Sequence, residues 1–440
     1  MRRTLVYGLG ESGEAATRAL LQRGERPLAA DAASGEGPRR VLEELGVEGV
    51  LGAGPEVLDG VDRVVVSPGV RPRDAVLREA RRRGIPVISE VGLGLELLGP
   101  GVRVAAVTGT NGKTTVVDMA RHILRVAGVA HAVAGNSWRA LTGCLEEVRR
   151  AGVLVLEVSS FQLHHLPPPG FEVAALLNVR PDHLNWHSSF EEYARDKLRV
   201  FGGQGPGDLA LLSADDPICR RAAGGLRAEV VLVGEGETGV RDGRLLLRGE
   251  FLAGERELGF AGGHNLKNAL FAAAAAARLG AGLEAIREAL RGYRLKPHRM
   301  QVVAEEGGVT YIDDSKATNP AAVAAALLSL GGRPAVLILG GSEKETDFEE
   351  VLPHLGGCRA VVCQGEAGPR LRDFLSERWG GEVVLAGDLA SAVEAARRLA
   401  RPGDAVLLSP GCASFDQFSG YEERGEAFAR LAGGRRAVRG

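Results

Sequence analysis

The sequence predicts an α/β protein of three domains, each built on a mostly parallel sheet covered by helices. Three observations predict it. Short runs rich in Val, Leu and Ala alternate with helix-length segments, the pattern of strand–helix–strand units. Glycine-containing turns follow directly on several of those runs, as they do where an open parallel sheet binds ligands at the carboxyl ends of its strands. The 440 residues are 45% apolar, enough for about three cores at roughly 100 to 200 residues each.

The first block, residues 1–97, opens with a strand at Thr4–Tyr7, turns through Gly8-Leu9-Gly10-Glu11-Ser12-Gly13 and enters a helix that runs to about Arg23. Strands are expected near Leu28–Ala30, Val64–Val66 and Pro86–Ile88, and Gly99-Pro100-Gly101 marks an exit linker around Leu97–Gly101. Gly8-x-Gly10-x-x-Gly13 lies between strand and helix, with Asp31 at the end of the next strand, which is the dinucleotide fingerprint in a Rossmann-like setting. Glycines let a backbone approach a pyrophosphate, and the helix start offers free N–H groups. The motif specifies a diphosphate nucleotide; it does not specify NAD.

The second block, residues 98–297, begins with the apolar strand Val102–Val107 and ends near Lys296-Pro297. Its strand runs into Thr108-Gly109-Thr110-Asn111-Gly112-Lys113-Thr114-Thr115, a shortened phosphate loop of the P-loop type. Successive N–H groups can wrap phosphate oxygens, Lys113 can reach the β and γ phosphates, and the Thr114 hydroxyl can ligate Mg²⁺. A buried-strand run, Val153–Leu156, ends in Glu157, placing a carboxylate where it can hold the same ion. A further strand, Ala174–Leu177, delivers Asp182 and His183 to that edge; His183 suits Mg²⁺ through water, or Mn²⁺ directly. Lys197 lies on a helix beginning near Ser189. His264-Asn265-Leu266-Lys267-Asn268 opens an alanine-rich helix, Leu266–Leu279, with Asn265 as a candidate cap and Asn268 as a candidate partner for a base edge.

The third block, residues 298–440, has strands at Val309–Ile312, Ala335–Leu339 and Ala405–Leu408 and a helix at Pro320–Leu330. Polar clusters follow all three strands: Asp313-Asp314-Ser315-Lys316-Ala317-Thr318-Asn319, Gly340-Gly341-Ser342-Glu343-Lys344, and Ser409-Pro410-Gly411-Cys412-Ala413-Ser414-Phe415. Acids, lysines and hydroxyls at one sheet edge suit sugar hydroxyls, phosphate and a carboxylate substrate.

Composition narrows the partners. The charges nearly cancel, 54 basic against 56 acidic, so no basic field exists to attract nucleic acid or anionic lipid. The opening MRRTLVYGLG has too short an apolar run for a secretory signal, and no stretch of about 18 apolar residues is long enough to span a bilayer. A soluble, cytoplasmic, monomeric protein with small-molecule partners is expected. Five scattered cysteines without a C-x-x-C pair argue against disulfides and structural zinc. Only six of the 54 basic residues are lysine (113, 197, 267, 296, 316 and 344). Where lysine persists against such a bias, a compact or neutralisable amine is one explanation, and skewed usage the other.

These motifs together resemble the Mur ligases of bacterial cell-wall synthesis, over nearly the whole chain. The carriers are TGTNGKTT (108–115), LEVSSFQL (156–163), NVRPDHL (178–184), GGHNLKNAL (262–270), KPHRM (296–300), IDDSKATNP (312–320), LGGSEK (339–344) and SPGCASFDQF (409–418), the last and DSKATN being most like the branch that adds D-glutamate. The resemblance implies an N-terminal Rossmann-like domain for the UDP-sugar, a central P-loop-type domain for ATP and a C-terminal Rossmann-like domain for the amino acid. It implies an ATP-dependent ligase that joins D-glutamate to UDP-N-acetylmuramoyl-L-alanine through an acyl phosphate. By resemblance Thr114 and Glu157 hold one Mg²⁺, and His183 and a carbamylated Lys197 sit by a second, with Lys113, His183 and Lys197 catalytic. The ATP site takes Gly109, Thr110, Asn111, Gly112, Lys113, Thr114 and Thr115 with Asn268, Arg299 and Asp314. Gly10, Glu11, Ser12, Asp31, Ser67 and Asn136 match the UDP-substrate site. Lys316, Thr318, Lys344, Ser414, Phe415 and Tyr421 match the D-glutamate site. Two departures stand out: Trp138 brings an indole where small residues are expected, and Tyr421 stands where phenylalanine is expected.

Three other readings remain at this level. An NAD-dependent dehydrogenase would use the N-terminal fingerprint but leaves Lys113 and Lys197 unexplained. A folylpolyglutamate synthase shares the central motifs but lacks a domain like residues 1–95. A nucleotide-gated scaffold would bind ATP without turnover.

Overall fold

The computed structural model describes residues 3–183, 186–260, 262–343 and 347–433. The chain forms two compact units, Met1–Gly259 with Asn265–Tyr293, and Phe260–His264 with Arg294–Gly440. The first two expected blocks thus pack as one body, and the second unit begins a few residues before the expected 297/298 boundary.

In the first unit, strands β1 (Thr4–Tyr7), β2 (Leu28–Asp31), β3 (Gly49–Leu51), β4 (Arg63–Val66) and β5 (Val87–Ser89) form an all-parallel sheet in the order β3-β2-β1-β4-β5. The order reverses between β1 and β4, which opens a crevice at their carboxyl ends. A second all-parallel sheet follows: β6 (Arg103–Thr108), β7 (Ala132–Gly135), β8 (Val153–Glu157), β9 (Val173–Leu176), β10 (Leu209–Ser213) and β11 (Glu229–Val233), ordered β11-β10-β9-β6-β8-β7. Its central strands are buried on both faces, so they read as unbroken apolar runs without alternation. The expected linker at Leu97–Gly101 is partly helix: Glu90–Leu98 is helical and stops at Gly99, whose φ of +70° ends the turn. Glu90 on that helix is wholly buried and accepts from Thr142 N at 2.6 Å and Thr142 Oγ1 at 2.7 Å, tying the first block to the second. A small antiparallel sheet, β12 (Gly239–Arg241), β13 (Arg244–Leu247) and β14 (Glu250–Gly254), was not among the expected elements. The alanine helix spans Gly263–Arg278, so Asn265 lies inside its first turn and is not its cap.

The second unit holds β15 (Gln301–Glu306), β16 (Val309–Asp313), β17 (Ala335–Gly340), β18 (Cys358–Gln364), β19 (Glu382–Leu385) and β20 (Ala405–Leu408), ordered β15-β16-β20-β17-β18-β19. All pairs are parallel except β15 with β16, a hairpin closed at Gly307-Gly308, both with positive φ. Helix Pro320–Ser329 starts on Asn319, whose Oδ1 accepts from Ala322 N at 2.9 Å. Among the described residues no helix is long and apolar enough to cross a membrane, and all five cysteines are free thiols.

Candidate active site

Three polar clusters stand at the carboxyl ends of the sheets. In the first sheet, a cavity of about 610 Å³ opens over β1 and β4, lined among others by Gly10, Glu11, Ser12, Asp31, Ser67 and Arg71. Gly13 is required there, since a Cβ on it would lie 1.9 Å from the Gly8 carbonyl. Ser67 Oγ donates to that same carbonyl at 2.6 Å. Asp31 holds the glycine turn itself: Oδ2 accepts from Leu9 N at 2.6 Å and Oδ1 from Ala33 N at 2.8 Å. Asn136 is not among the residues lining this cavity; it follows β7 and donates Nδ2 to Glu157 Oε1 at 3.0 Å.

The second cluster surrounds the loop after β6. Gly109 and Gly112 both have positive φ, and a Cβ on Gly112 would come within 2.7 Å of Asn268 Oδ1, so the loop and the start of the alanine helix touch through a glycine. Asn178, after β9, braces the loop by accepting from Asn111 N at 2.9 Å and donating to Asn111 O at 3.1 Å. Thr110 Oγ1 meets the hydroxyl of Tyr193 at 2.9 Å. Lys113 curls over its own loop, with Nζ 2.8 Å from the carbonyls of Gly109 and Thr110. Lys197 Nζ reaches the Gly109 carbonyl from the other side, also at 2.8 Å, and lies 4.6 Å from the centre of the Tyr193 ring. Two amines therefore converge on one carbonyl oxygen. Burial, then the charge of Lys113, hold the Lys197 amine well below the usual lysine range. Tyr193 and Lys197 are i and i+4 on helix Phe190–Leu198, which sets both on the face turned to the loop.

Glu157, at the end of β8, is fully buried and collects four donors. Oε1 accepts from Ser137 Oγ at 2.8 Å, Asn136 Nδ2 at 3.0 Å and Thr114 Oγ1 at 3.3 Å; Oε2 accepts from Trp138 Nε1 at 3.1 Å. The Trp138 departure thus has a local reason, because the indole N–H orients the carboxylate. His183 has φ +56°, a left-handed conformation unusual outside glycine, and its ring packs edge-on against Phe161 at 4.8 Å.

The third cluster lies in the second unit. Asp314, buried, accepts from Ser409 Oγ at 3.0 Å and Met300 N at 3.2 Å. Burial pushes its carboxyl up to about 7, against those hydrogen bonds and the charge of neighbouring Arg299. Asp313 pairs with His298 Nδ1 at 2.6 Å, a bond that raises the imidazole above its ordinary range despite partial burial. Lys316 Nζ sits 3.8 Å from the centre of the Tyr421 ring, so at Tyr421 the aromatic face meets a cation. Ser414 is buried and Phe415 is 75% exposed beside it. Lys344 lies outside the described residues. Arg424 is a structural hub the motifs did not reveal: it is 1% exposed and donates to Ser315 Oγ, Ser315 O, Cys412 O and Ala413 O. It stitches the loop after β16 to the loop after β20. As one arginine on a helix in an arginine-rich chain it carries no local signal.

A phosphate-cradling loop with a lysine at its helix start, on the middle of three α/β sheets, defines the nucleotide-using class of such proteins. Family comparisons place the chain within that class. Residues 2–89 match the MurD-like N-terminal domain of Mur ligases, residues 107–276 the Mur ligase middle domain, and residues 298–412 the Mur ligase glutamate ligase domain. The chain belongs to the Mur ligase family. It is 39% identical to the UDP-N-acetylmuramoylalanine--D-glutamate ligase of Pelotomaculum thermopropionicum, over 98% of this chain and 97% of that one. It is likewise 39% identical to the ligase of that name from Salinibacter ruber, over 98% and 97%. In fold it is similar to the crystal structure of MurF ligase from Thermotoga maritima in complex with ADP, with a TM-score of 0.61, 20% identity and 98% of both chains covered.

Proposed function

We propose that this protein joins D-glutamate to UDP-N-acetylmuramoyl-L-alanine, with ATP converted to ADP and phosphate, in peptidoglycan precursor synthesis. The observation that carries the reading is the full-length likeness to ligases of that name, and the convergence of Lys113, Lys197 and Glu157 on the loop after β6 supports it. Domains are assigned as 1–97 for the UDP-substrate, 98–297 for ATP and 298–440 for the amino acid, in a monomer working in the cytoplasm.

A carboxylate resists attack by an amine until one of its oxygens becomes a leaving group. The alanyl carboxylate attacks the γ phosphorus, ADP departs, and an acyl phosphate remains. The neutral amine of D-glutamate adds to its carbonyl carbon, the nitrogen gives up a proton to solvent, and the tetrahedral intermediate expels phosphate to leave the amide. The chain's part is positioning and charge. The N–H groups of residues 109–115 cradle the phosphates, and Lys113 swings from its two carbonyls to the transferring phosphoryl group. Asn268 serves the adenine, and Arg299 and Asp314 the phosphate and ribose. Gly10, Glu11, Ser12, Asp31 and Ser67 serve the UDP moiety, with Asn136 near the muramoyl group. Lys316, Thr318, Lys344, Ser414, Phe415 and Tyr421 serve D-glutamate.

A buried carboxylate beside a hydroxyl fits a hard cation, so Thr114 and Glu157 are the residues to hold Mg²⁺. Bound there, the ion would supply positive charge for phosphoryl transfer. A buried amine whose protonation is disfavoured by burial and by Lys113 fits carbamylation, in which the Lys197 nitrogen adds to CO₂ and releases a proton. The resulting two-oxygen anion, with His183, suits a second Mg²⁺ or Mn²⁺.

The test is ADP release with each of a panel of amino acids, with and without UDP-N-acetylmuramoyl-L-alanine. Turnover confined to D-glutamate plus the UDP-sugar is expected. ADP release that ignores either substrate would overturn the proposal.

A further inference from the structure

Behind the ATP loop, helices Ser160–His164 and Phe190–Leu198 bring together a group that the ligase reaction leaves unused. His164 ends the first helix; Glu192 and Asp196 are i and i+4 on one face of the second. One ligand atom from each lies within 4.8 Å of the other two. His164 Nδ1 is 2.7 Å from Asp196 Oδ2, and the two side chains are 15% and 6% exposed. Glu192 Oε2 accepts from Ser188 N at 2.6 Å. Two carboxylates one turn apart on a helical face repel each other, and Asp196 is offset only by the imidazoles of His164 and His187. In a chain with 54 basic residues, neither pairs with an arginine or lysine among the described residues. A second observation points the same way. His187 is wholly buried, its Nδ1 has no hydrogen-bond partner and lies 3.3 Å from Asp196 Oδ2, and Nε2 meets Ser160 Oγ at 3.0 Å. A buried imidazole nitrogen this close to a carboxylate can hydrogen-bond a metal ligand from outside its coordination shell.

We propose that His164, Glu192 and Asp196 form a site for a divalent transition ion, Zn²⁺ or one like it, oriented by His187 and separate from the ATP-site ions. One imidazole nitrogen with two carboxylates selects such ions over Mg²⁺, which prefers oxygen alone. Ligands held at about 2.0 to 2.2 Å from one tetrahedral ion are roughly 3.3 to 3.6 Å apart, so binding opens the 2.7 Å contact of His164 with Asp196 and draws atoms up to 4.8 Å apart together by about 1 Å. The ion fastens the helix that follows Glu157 to the helix that carries Lys197.

The test uses the full chain stripped of metal, titrated with Co²⁺ without nucleotide. Binding is read by visible absorption and by quenching of tryptophan emission, since the Trp186 ring lies 5.4 Å from that of His164. One Co²⁺ displaceable by Zn²⁺ is expected. His164→Ala and the milder Glu192→Gln should each weaken it at least about tenfold with circular dichroism unchanged. His183→Ala and Lys197→Ala should keep it. Absence of the absorption band in the unaltered protein, undiminished binding in both His164→Ala and Glu192→Gln, or loss of binding in His183→Ala would each overturn the proposal.

Discussion

Replacing Arg424 with methionine keeps most of the buried volume and removes the guanidinium. Four hydrogen bonds disappear: Nε to Ser315 Oγ at 3.0 Å, Nη1 to Cys412 O at 3.1 Å and Ala413 O at 3.0 Å, and Nη2 to Ser315 O at 2.8 Å. At about 1.5 kcal/mol each for a charged donor, they amount to roughly 6 kcal/mol. Relief of a costly burial opposes this, for burial brings the Arg424 guanidinium down to about 10. That shift corresponds to about 3 kcal/mol. The bonds win, and the net loss should be about 2 to 4 kcal/mol, a fall in melting temperature of roughly 4 to 16 °C for a unit of this size. Ser315 precedes Lys316, and Cys412-Ala413 precede Ser414, so the D-glutamate KM should rise well above tenfold while that of the UDP-sugar holds. Thermal unfolding by circular dichroism and steady-state kinetics check both. A destabilisation under about 1 kcal/mol, or an equal rise in both KM values, would refute the reasoning.

Lys113→Ala should abolish turnover and leave UDP-substrate binding nearly intact, as measured by ADP release and calorimetric titration; an unchanged kcat would remove the lysine from the phosphate site. Lys197→Ala should be inactive and partly rescued by formate or acetate, whereas Lys197→Arg should stay inactive. Near-native rates in Lys197→Arg would mean that a positive charge suffices there. Asp314 takes up its proton near pH 7 in the folded state and near 3.8 when unfolded, so the native state binds more protons between those values. Its contribution to stability is therefore lost as pH rises through about 7, by at most ~4 kcal/mol. Asp314→Asn should gain stability relative to the unaltered protein as pH goes from 5.5 to 8 in denaturant titrations; a constant difference would show that Asp314 titrates normally.

The strands and the loops that follow them were legible in the chain because their physical demands are local. Parallel strands buried on both faces must be continuous apolar runs, as Val153–Leu156 is. Turns such as Gly109 and Gly112 need backbone angles that only glycine adopts cheaply. Thus Lys113, Glu157 and Asp314 were visible as residues that follow strands. What tertiary structure decided is which side chains meet across long stretches of sequence. Strand order brings β6 between β8 and β9, so Glu157 and Asn178 flank one loop. Helix packing carries Lys197 to the Gly109 carbonyl and places Asp196, its neighbour, against His164. Asp31 turned inward to its own loop, and Arg424 became a buried four-way donor. None of these has a spacing signature, because each depends on the direction a side chain takes once sheets and helices have packed, and that direction is set by contacts between segments far apart in the chain.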